Sequence, residues 1–215
     1  MSTLQTERTT VKRLAKRGNY DRETIVAILD EALICHVAFV VEGTPVVIPT
    51  IHTRIDETLY FHGSAASRML RSLKNGVEVC VCVTLLDGLV MARSAFHHSM
   101  NYRSAVIFGK ATEVTDRDEK LRVLAALVDH VAKGRSLDAR APNEPELKQT
   151  LVLALPIAEA SAKMRTGGPI DDEEDYALPI WAGVLPLTLM PHAPIADERL
   201  TSGIEAPDYL KNYRR

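Results

Sequence analysis

The sequence predicts a mainly β protein of the α+β class, an antiparallel barrel with helices inserted between its strands. Three observations predict this class. Short apolar segments recur along the chain with Gly, Pro and Asp turns between them, as in antiparallel sheets. Residues 77–85 alternate strictly between apolar and polar side chains, which is the period of a half-buried strand. Helical segments do not follow nearly every strand, as a parallel α/β fold would require.

Caps, turns and hydrophobic periods predict the individual elements. Asp21 caps a helix that runs to Ala32, with Ile25, Ile28 and Leu29 on one apolar face. The strands are predicted at 35–41, 46–54, 59–62, 77–85, 89–94, 104–112 and 151–157, with Asp87-Gly88 as a hairpin turn. Further helices are predicted at 65–73, capped by Ser64 and closed by Asn75-Gly76, and from Asp116 to Gly134, with Leu121, Leu124, Leu127, Val128 and Val131 facing inward.

The chain divides into three parts. Residues 1–19 are polar and basic and predict a flexible N-terminal arm. Residues 20–168 hold the predicted barrel domain, in which 135–147 form a polar loop. Residues 169–215 are rich in proline and acids and predict an extension packed on the barrel or on a partner, with a short helix at 208–213.

Composition argues against several classes of function. The net charge of −2 and pI near 6.4 give no electrostatic footprint for nucleic acid. No apolar run approaches the roughly 18 residues of a membrane span, and the start resembles no secretory signal. The three cysteines have no zinc-like spacing and are expected to be reduced thiols. We therefore expect a cytoplasmic protein without nucleic-acid, membrane or metal partners.

Residues 59–68 hold the strongest candidate site. A strand ends in His62, Gly63 lets the backbone approach a ligand, and small residues open a helix. The hydroxyls of Ser64 and Ser67 and the unpaired amides of the first turn would bind an anion. Arg68 opposes the helix dipole by about 0.3–1 kcal/mol unless a phosphate binds there. The alternative is that Ser64 only caps the helix and Arg68 is a solvated surface residue.

A second polar cluster lies at residues 96–104. His97 and His98 are adjacent, so on an extended segment they point in opposite directions and do not bind one metal together. They are expected to be structural or to line the rim of a pocket. No P-loop, dinucleotide fingerprint or nucleophile elbow occurs in the chain.

Several short motifs stand in a fixed order between residues 20 and 187. They are Val47-Ile48-Pro49-Thr50, Leu59-Tyr60-Phe61-His62-Gly63-Ser64, Ser67-Arg68, Asn101-Tyr102-Arg103-Ser104, Gly109-Lys110-Ala111-Thr112-Glu113-Val114, and later the segments 161–167 and 181–186. Their order and spacing resemble the pyridoxamine 5'-phosphate oxidase-like flavoproteins. The closer likeness is to the branch of nitroimidazole-resistance reductases and flavin-nucleotide-binding proteins.

The resemblance implies an antiparallel split β-barrel of the FMN-binding type that works as a homodimer, with the flavin at the interface. Met69 stands where the family has a lysine, so Arg68 and the helix amides would hold the FMN phosphate. The FMN-binding residues that the resemblance and the junction together imply are Ile48, Pro49, Thr50, His62, Gly63, Ser64, Ser67, Arg68, Arg103 and Ser104.

Two functions remain open. The first is an FMN-dependent oxidoreductase that reduces a small electron-poor substrate, such as a nitro compound or a quinone. His62 would then be the catalytic proton donor, although a structural histidine bonded to backbone is an equal alternative. The second is a non-catalytic flavin or haem carrier on the same fold. The basic Arg-x-His type motif of the true oxidases is missing, which argues against pyridoxamine phosphate oxidase activity.

Overall fold

The computed structural model describes residues 3–214, which form two antiparallel sheets and six α-helices. The strands are β1 (Gly18–Asn19), β2 (Ile34–Val41), β3 (Thr44–Ile51), β4 (Thr53–Ile55), β5 (Thr58–Ser64), β6 (Glu78–Met91), β7 (Ser99–Lys110), β8 (Thr112–Glu113), β9 (Thr150–Pro156), β10 (Glu159–Arg165) and β11 (Gly183–Pro186). The helices are α1 (Arg22–Glu31), α2 (Arg68–Lys74), α3 (Arg117–Val131), α4 (Arg135–Asp138), α5 (Glu144–Gln149) and α6 (Asp208–Lys211).

The strands form two sheets that are not closed into one barrel. Sheet one has the order β1-β10-β7-β6-β2-β3, and β11 pairs with the far end of β6. Sheet two has the order β4-β5-β9-β8. The predicted α+β class with antiparallel strands is confirmed. Within residues 3–214, no helix is both long enough and apolar enough to cross a membrane.

The core lies between the two sheets. It joins buried side chains of sheet one, such as Val37 and Ile107, to those of sheet two, such as Phe61 and Leu153. The predicted strand 46–54 is divided between the sheets because His52, fully buried, separates β3 from β4. One ring nitrogen of His52 lies 3.0 Å from the carbonyl of Leu29. This contact holds the chain against α1 where it passes from sheet one to sheet two.

The predicted hairpin at Asp87-Gly88 is wrong. The register with β7 shifts between Leu86 and Gly88, so the glycine marks a β-bulge inside β6, and the chain reverses only at residues 92–98. A side chain on Gly88 would lie 3.0 Å from the Leu185 carbonyl oxygen. The bulge glycine therefore makes room for β11.

Two helix predictions also need correction. The helix predicted at 65–73 begins at Arg68, and Ser67 rather than Ser64 is its cap, accepting a bond from the Leu70 amide at 3.5 Å. Ser64 ends β5 and its hydroxyl accepts the Ala66 amide instead. The predicted loop 135–147 contains α4 and the start of α5, which opens with a complete capping box.

The inward face predicted for α3 is mostly wrong. Leu127 is buried against sheet two as expected, and its partner there is Val123. The other four predicted residues are not buried in the protein core. Leu121, Leu124 and Val128 are half-buried, and Val131 is exposed.

Both terminal segments contact the sheets. Residues 3–17, for which the sequence predicts a flexible arm, lie against sheet one, with Leu4 buried and its carbonyl accepting the Ala160 amide at 3.0 Å. The C-terminal extension packs on the fold through β11 and α6. The hydroxyls of Tyr209 and Tyr213 bond to Asp138 and to the Val131 carbonyl.

Replacing Gly88 with valine tests the role of the bulge. We expect the variant to displace β11 and to lower the free energy of unfolding by about 1–3 kcal/mol, since the added atoms overpack a closed contact. Chemical denaturation measures the stability, and hydrogen exchange of the amides of 183–186 reports the displacement. Thr84→Val, on an exposed position of the same strand, is the matched control. Unchanged protection of 183–186 would contradict this role.

Candidate functional site

An apolar cavity of about 720 Å³ lies between the helical segment 121–146 and the β5 end of sheet two. We call it the α3 cavity. Its walls are mainly aliphatic, and the four predicted inward residues of α3 that are not fully buried, Leu121, Leu124, Val128 and Val131, all line it. The lining comprises Ile51, His62, Leu121, Leu124, Ala125, Leu127, Val128, Val131, Ala132, Arg135, Ser136, Ala139, Arg140, Ala141, Pro142, Glu146 and Thr150.

His62 is the one imidazole on the wall of the α3 cavity. It lies on β5 opposite Val152, at the strand position that the sequence predicts. Its Nδ1 atom is buried and has no hydrogen-bond partner among residues 3–214. Burial lowers the pKa of the imidazole below its usual value of 6.5, so the ring is neutral at pH 7. A neutral imidazole in an apolar wall is a candidate metal ligand.

Two arginines stand at the rim of the α3 cavity. The Nη1 atom of Arg135 donates to the Tyr209 hydroxyl at 3.3 Å. Arg140 donates to both carboxylate oxygens of Glu146, at 2.7 and 3.0 Å. This ion pair, and then the Asn143 amide, lower the pKa of Glu146 to about 2. Glu146 therefore occupies Arg140, and Arg135 is the rim guanidinium available to an anionic part of a ligand whose apolar part fills the cavity.

The predicted strand–helix junction is open. Ser64 and Arg68 are exposed, and no ion pair of Arg68 occurs within residues 3–214. Gly63 packs against α2, where a side chain would lie 3.1 Å from a Leu70 methyl. Ser67 caps the helix. A role of this junction in binding a phosphate stays a prediction.

The other predicted site residues lie on sheet one. Ile48, Pro49 and Thr50 are on β3, whose second edge pairs with no strand in the described part of the chain. Ser104 donates to the Lys163 carbonyl at 3.1 Å and lines a smaller, basic cleft.

Arg103 is bound by two carboxylates. Its guanidinium donates to Glu31 at 2.5 and 2.8 Å and to Asp87 at 2.7 and 3.0 Å. The hydrogen bonds to Glu31, and then those to Asp87, raise the pKa of Arg103. Four such bonds tie α1 to the β6 bulge. A flavin contact of Arg103, which stays a prediction, would have to compete with them.

His97 and His98 do not line the α3 cavity. One nitrogen of His97 lies 3.3 Å from Asp172, and one of His98 lies 3.0 Å from the Ser94 carbonyl. In the part of the chain that the structure describes, no three His, Cys, Asp or Glu side chains converge as a metal site. A metal ion at His62 would therefore have to come with ligands of its own.

A family model described as pyridoxamine 5'-phosphate oxidase matches residues 21–164 of this chain, which is more than half of its length. The chain belongs to the pyridoxamine 5'-phosphate oxidase family. The predicted recognition of this family from its motifs is confirmed. No curated protein sequence matches the chain significantly.

Three solved structures of this family's fold are informative. The flavocytochrome Anf3 from Azotobacter vinelandii is 40% identical, with 97% of each chain covered and a TM-score of 0.91. An FAD and haem binding protein from Mycobacterium smegmatis is 39% identical, with 91% of this chain and 96% of that one covered and a TM-score of 0.87. A protein from Bacteroides thetaiotaomicron assigned to 5-nitroimidazole antibiotic resistance is 26% identical, with 68% and 85% covered and a TM-score of 0.56.

Sequence reasoning found His62 but missed the cavity in front of it. The helices α4 and α5, which carry the rim arginines, fall in the segment predicted as a loop. One signal was available, because the apolar residues of α3 cover more of its circumference than packing on one sheet requires. That excess indicates a second apolar partner.

The lowered pKa of His62 predicts a pH effect on stability. Between that pKa and about 6.5 the unfolded chain binds a proton that the folded chain does not, so the free energy of unfolding falls as pH falls. We expect His62→Leu to lose less stability between pH 7.5 and pH 5.5 than the wild type does. Urea unfolding at each pH measures this difference. The exposed His192, replaced in His192→Leu, is the control and keeps the wild-type slope. Equal changes of stability with pH in His62→Leu and His192→Leu would contradict the assignment of this pH effect to His62.

Proposed function

We propose that this chain is a redox protein that binds a flavin and a haem, as the flavocytochrome and the FAD and haem binding protein do by their descriptions. One observation carries the haem part of the proposal. The α3 cavity is apolar, large and lined by a single neutral imidazole.

The residues of the α3 cavity fit a haem. Leu121, Leu124 and Val128 offer aliphatic contacts to the porphyrin faces. His62 offers a neutral nitrogen to the iron. Arg135 would be the cation available to a propionate, whereas Arg140 would have to leave Glu146 to bind one. The iron supplies one-electron chemistry when bound. This chain's contribution is to surround the porphyrin with apolar side chains and to hold the imidazole of His62 neutral.

His62 therefore has a different proposed role from the one that the sequence suggests. A nitrogen that binds iron carries no proton to donate to a flavin. One nitrogen cannot serve both as a proton donor and as an iron ligand. The apolar wall around His62 favours its role as the iron ligand.

The flavin is proposed to bind outside the α3 cavity, at the sheet-one hairpin β2–β3 and the junction of residues 64–68. The exposed Arg68, free of ion pairs in the described chain, supports a phosphate contact there. Backbone groups of Ile48, Pro49 and Thr50 on the free edge of β3 support a contact with the ring system. FMN, which the sequence predicts, and the FAD of the relatives present the same ring to these groups.

A second copy of this chain is the proposed partner. The outer face of sheet one carries apolar side chains that nothing in residues 3–214 covers. The exposed ones are Ile34, Val40, Val47, Ile51 and Leu86. A flat apolar sheet face of this kind is typical of a protein interface.

The three cysteines form no disulfide, in keeping with a reducing cytoplasm.

An FMN-dependent oxidoreductase acting on a nitro compound or a quinone is the second candidate. The resemblance to the nitroimidazole-resistance protein, at 26% identity, favours it. The two candidates share the flavin and differ in whether a haem fills the α3 cavity. The haem content of the purified protein therefore separates them.

The absorption spectrum of the purified protein tests the proposal. We expect both the Soret band of haem and the bands of a flavin, with chromatography of the released cofactors giving their ratio. His62→Ala should lose the haem and keep the flavin, because only the iron ligand is removed. His98→Ala, at a histidine away from the cavity, should keep both.

A rescue experiment guards against a variant that merely folds poorly. His62→Gly leaves space for free imidazole, and adding imidazole with haemin should restore the haem band. A haem band in His62→Ala equal to that of the wild type would contradict the assignment of the ligand. A flavin without any haem in the wild type would favour the second candidate.

The proposed dimer makes a separate prediction. Val47→Glu should shift the protein to monomer in light scattering, since an uncompensated buried charge costs about 3–5 kcal/mol. Leu137→Glu, at an exposed leucine of α4, is the matched control and should remain a dimer. A Val47→Glu protein that stays dimeric would place the interface elsewhere.

A further inference from the structure

A second ligand site is formed where the N-terminal segment crosses sheet one. Residues 8–13 lie over β7 and β10 and enclose a cleft of about 320 Å³, which we call the N-terminal cleft. No acidic side chain lines it. The lining comprises Arg8, Thr9, Thr10, Val11, Lys12, Arg13, Ser104, Val106, Phe108, Ser161 and Lys163.

The N-terminal segment is held in place by specific contacts. Thr9 is buried, and its hydroxyl lies 2.7 Å from the Thr6 amide. The Val11 amide donates to the Tyr20 hydroxyl at 2.7 Å. The guanidinium of Arg8 stacks over the Phe108 ring at 4.8 Å. The cleft is therefore a built feature of the fold rather than a gap beneath a loose end.

The positive charge of the cleft is only partly balanced. Arg8 is paired with Glu159 and Glu78, outside the lining. Within residues 3–214, no ion pair is formed by the other three cations, Lys12, Arg13 and Lys163.

Arg165 adds a buried charge two residues further along β10, on the same face as Lys163. Only 6% of its surface is exposed. Its hydrogen bonds go to neutral oxygens, those of Asn101 at 2.5 Å and of Gly167 and Gly168 at 3.2 and 3.0 Å. Burial, and then the like charge of Arg17, lower the pKa of Arg165. Three unpaired cations in a cleft that no acid lines favour an anionic ligand.

We propose that the N-terminal cleft binds the diphosphate of a dinucleotide. Three unpaired cations more than balance the two negative charges of a dinucleotide's diphosphate, and the Ser161 hydroxyl supplies a further polar contact. Phe108 and Val106 supply an apolar wall for a sugar or base. A pyridine dinucleotide that reduces the flavin has this chemistry, whereas the phosphate of the flavin itself is proposed to lie at Arg68. The inference rests on the proposed function only for the identity of the dinucleotide.

ADP is the probe, added by titration calorimetry to the full chain after its flavin has been removed by dialysis. We expect the wild type to bind ADP and Lys12→Ala/Arg13→Ala to bind it at least about tenfold more weakly, since two charge-assisted contacts are lost. Lys16→Ala/Lys148→Ala removes the same charge from exposed positions outside the cleft and should bind like the wild type. Equal ADP affinity of the two double variants would overturn the inference.

Two further titrations identify the dinucleotide. We expect FAD and FMN to bind the cleft variant unchanged and its affinity for NADPH to fall. A cleft variant that instead loses affinity for FAD and keeps its affinity for FMN would contradict the placement of the flavin phosphate at Arg68. A wild type that binds no ADP, yet carries flavin and haem, overturns this inference and leaves the proposed function standing. A wild type that binds ADP but carries neither flavin nor haem overturns the proposed function and leaves this inference standing.

Discussion

The apolar surface of α3 is the constraint on which the candidate site depends. One stripe of the helix, Val123 and Leu127, packs on sheet two and holds the helix in place. A second stripe, which includes Leu121 and Val128, is only half-buried and borders the α3 cavity. Burying apolar surface contributes about 25 cal/mol per Å², so a wall left facing an aqueous cavity forgoes that gain until a ligand covers it. Burial beside this wall lowers the pKa of His62, because the ring is partly removed from the water that would solvate its charged form.

The elements that sequence reasoning predicts well are those with local signals. The Asp116 cap, the helix after Asp21 and the alternation of 77–85 each depend on neighbouring residues, and each corresponds to an observed element. The hairpin at Asp87-Gly88 fails because its local signal is overruled from a distance. β7 continues to pair with β6 on both sides of the bulge, and β11 pairs beside Gly88. Neither partner is visible from the dipeptide itself.

Predictions for the candidate site also succeed where the signal is local and fail where distant residues decide. His62 is predicted because it stands at the end of a recognisable strand. Arg103 resembles a flavin contact in its local motif, yet Glu31 and Asp87, 72 and 16 positions away, accept four of its hydrogen bonds. The sequence names charged residues but does not show which opposite charges the fold brings beside them. Assigning a free cation therefore requires the tertiary structure.

Net charge illustrates why composition alone could not reveal the two proposed anion-binding regions. The chain as a whole is slightly acidic, which gives no reason to expect a nucleic-acid partner. A small ligand responds to charge over a few ångströms, because salt screens surface charges beyond about 8–10 Å. The N-terminal cleft is lined by four cations and no acid, and Glu78 and Glu159, just outside the lining, are paired with Arg8. Three of those cations belong to the basic segment 1–19, so the charge run that predicts a loose arm instead forms one wall of the cleft when the segment packs on sheet one.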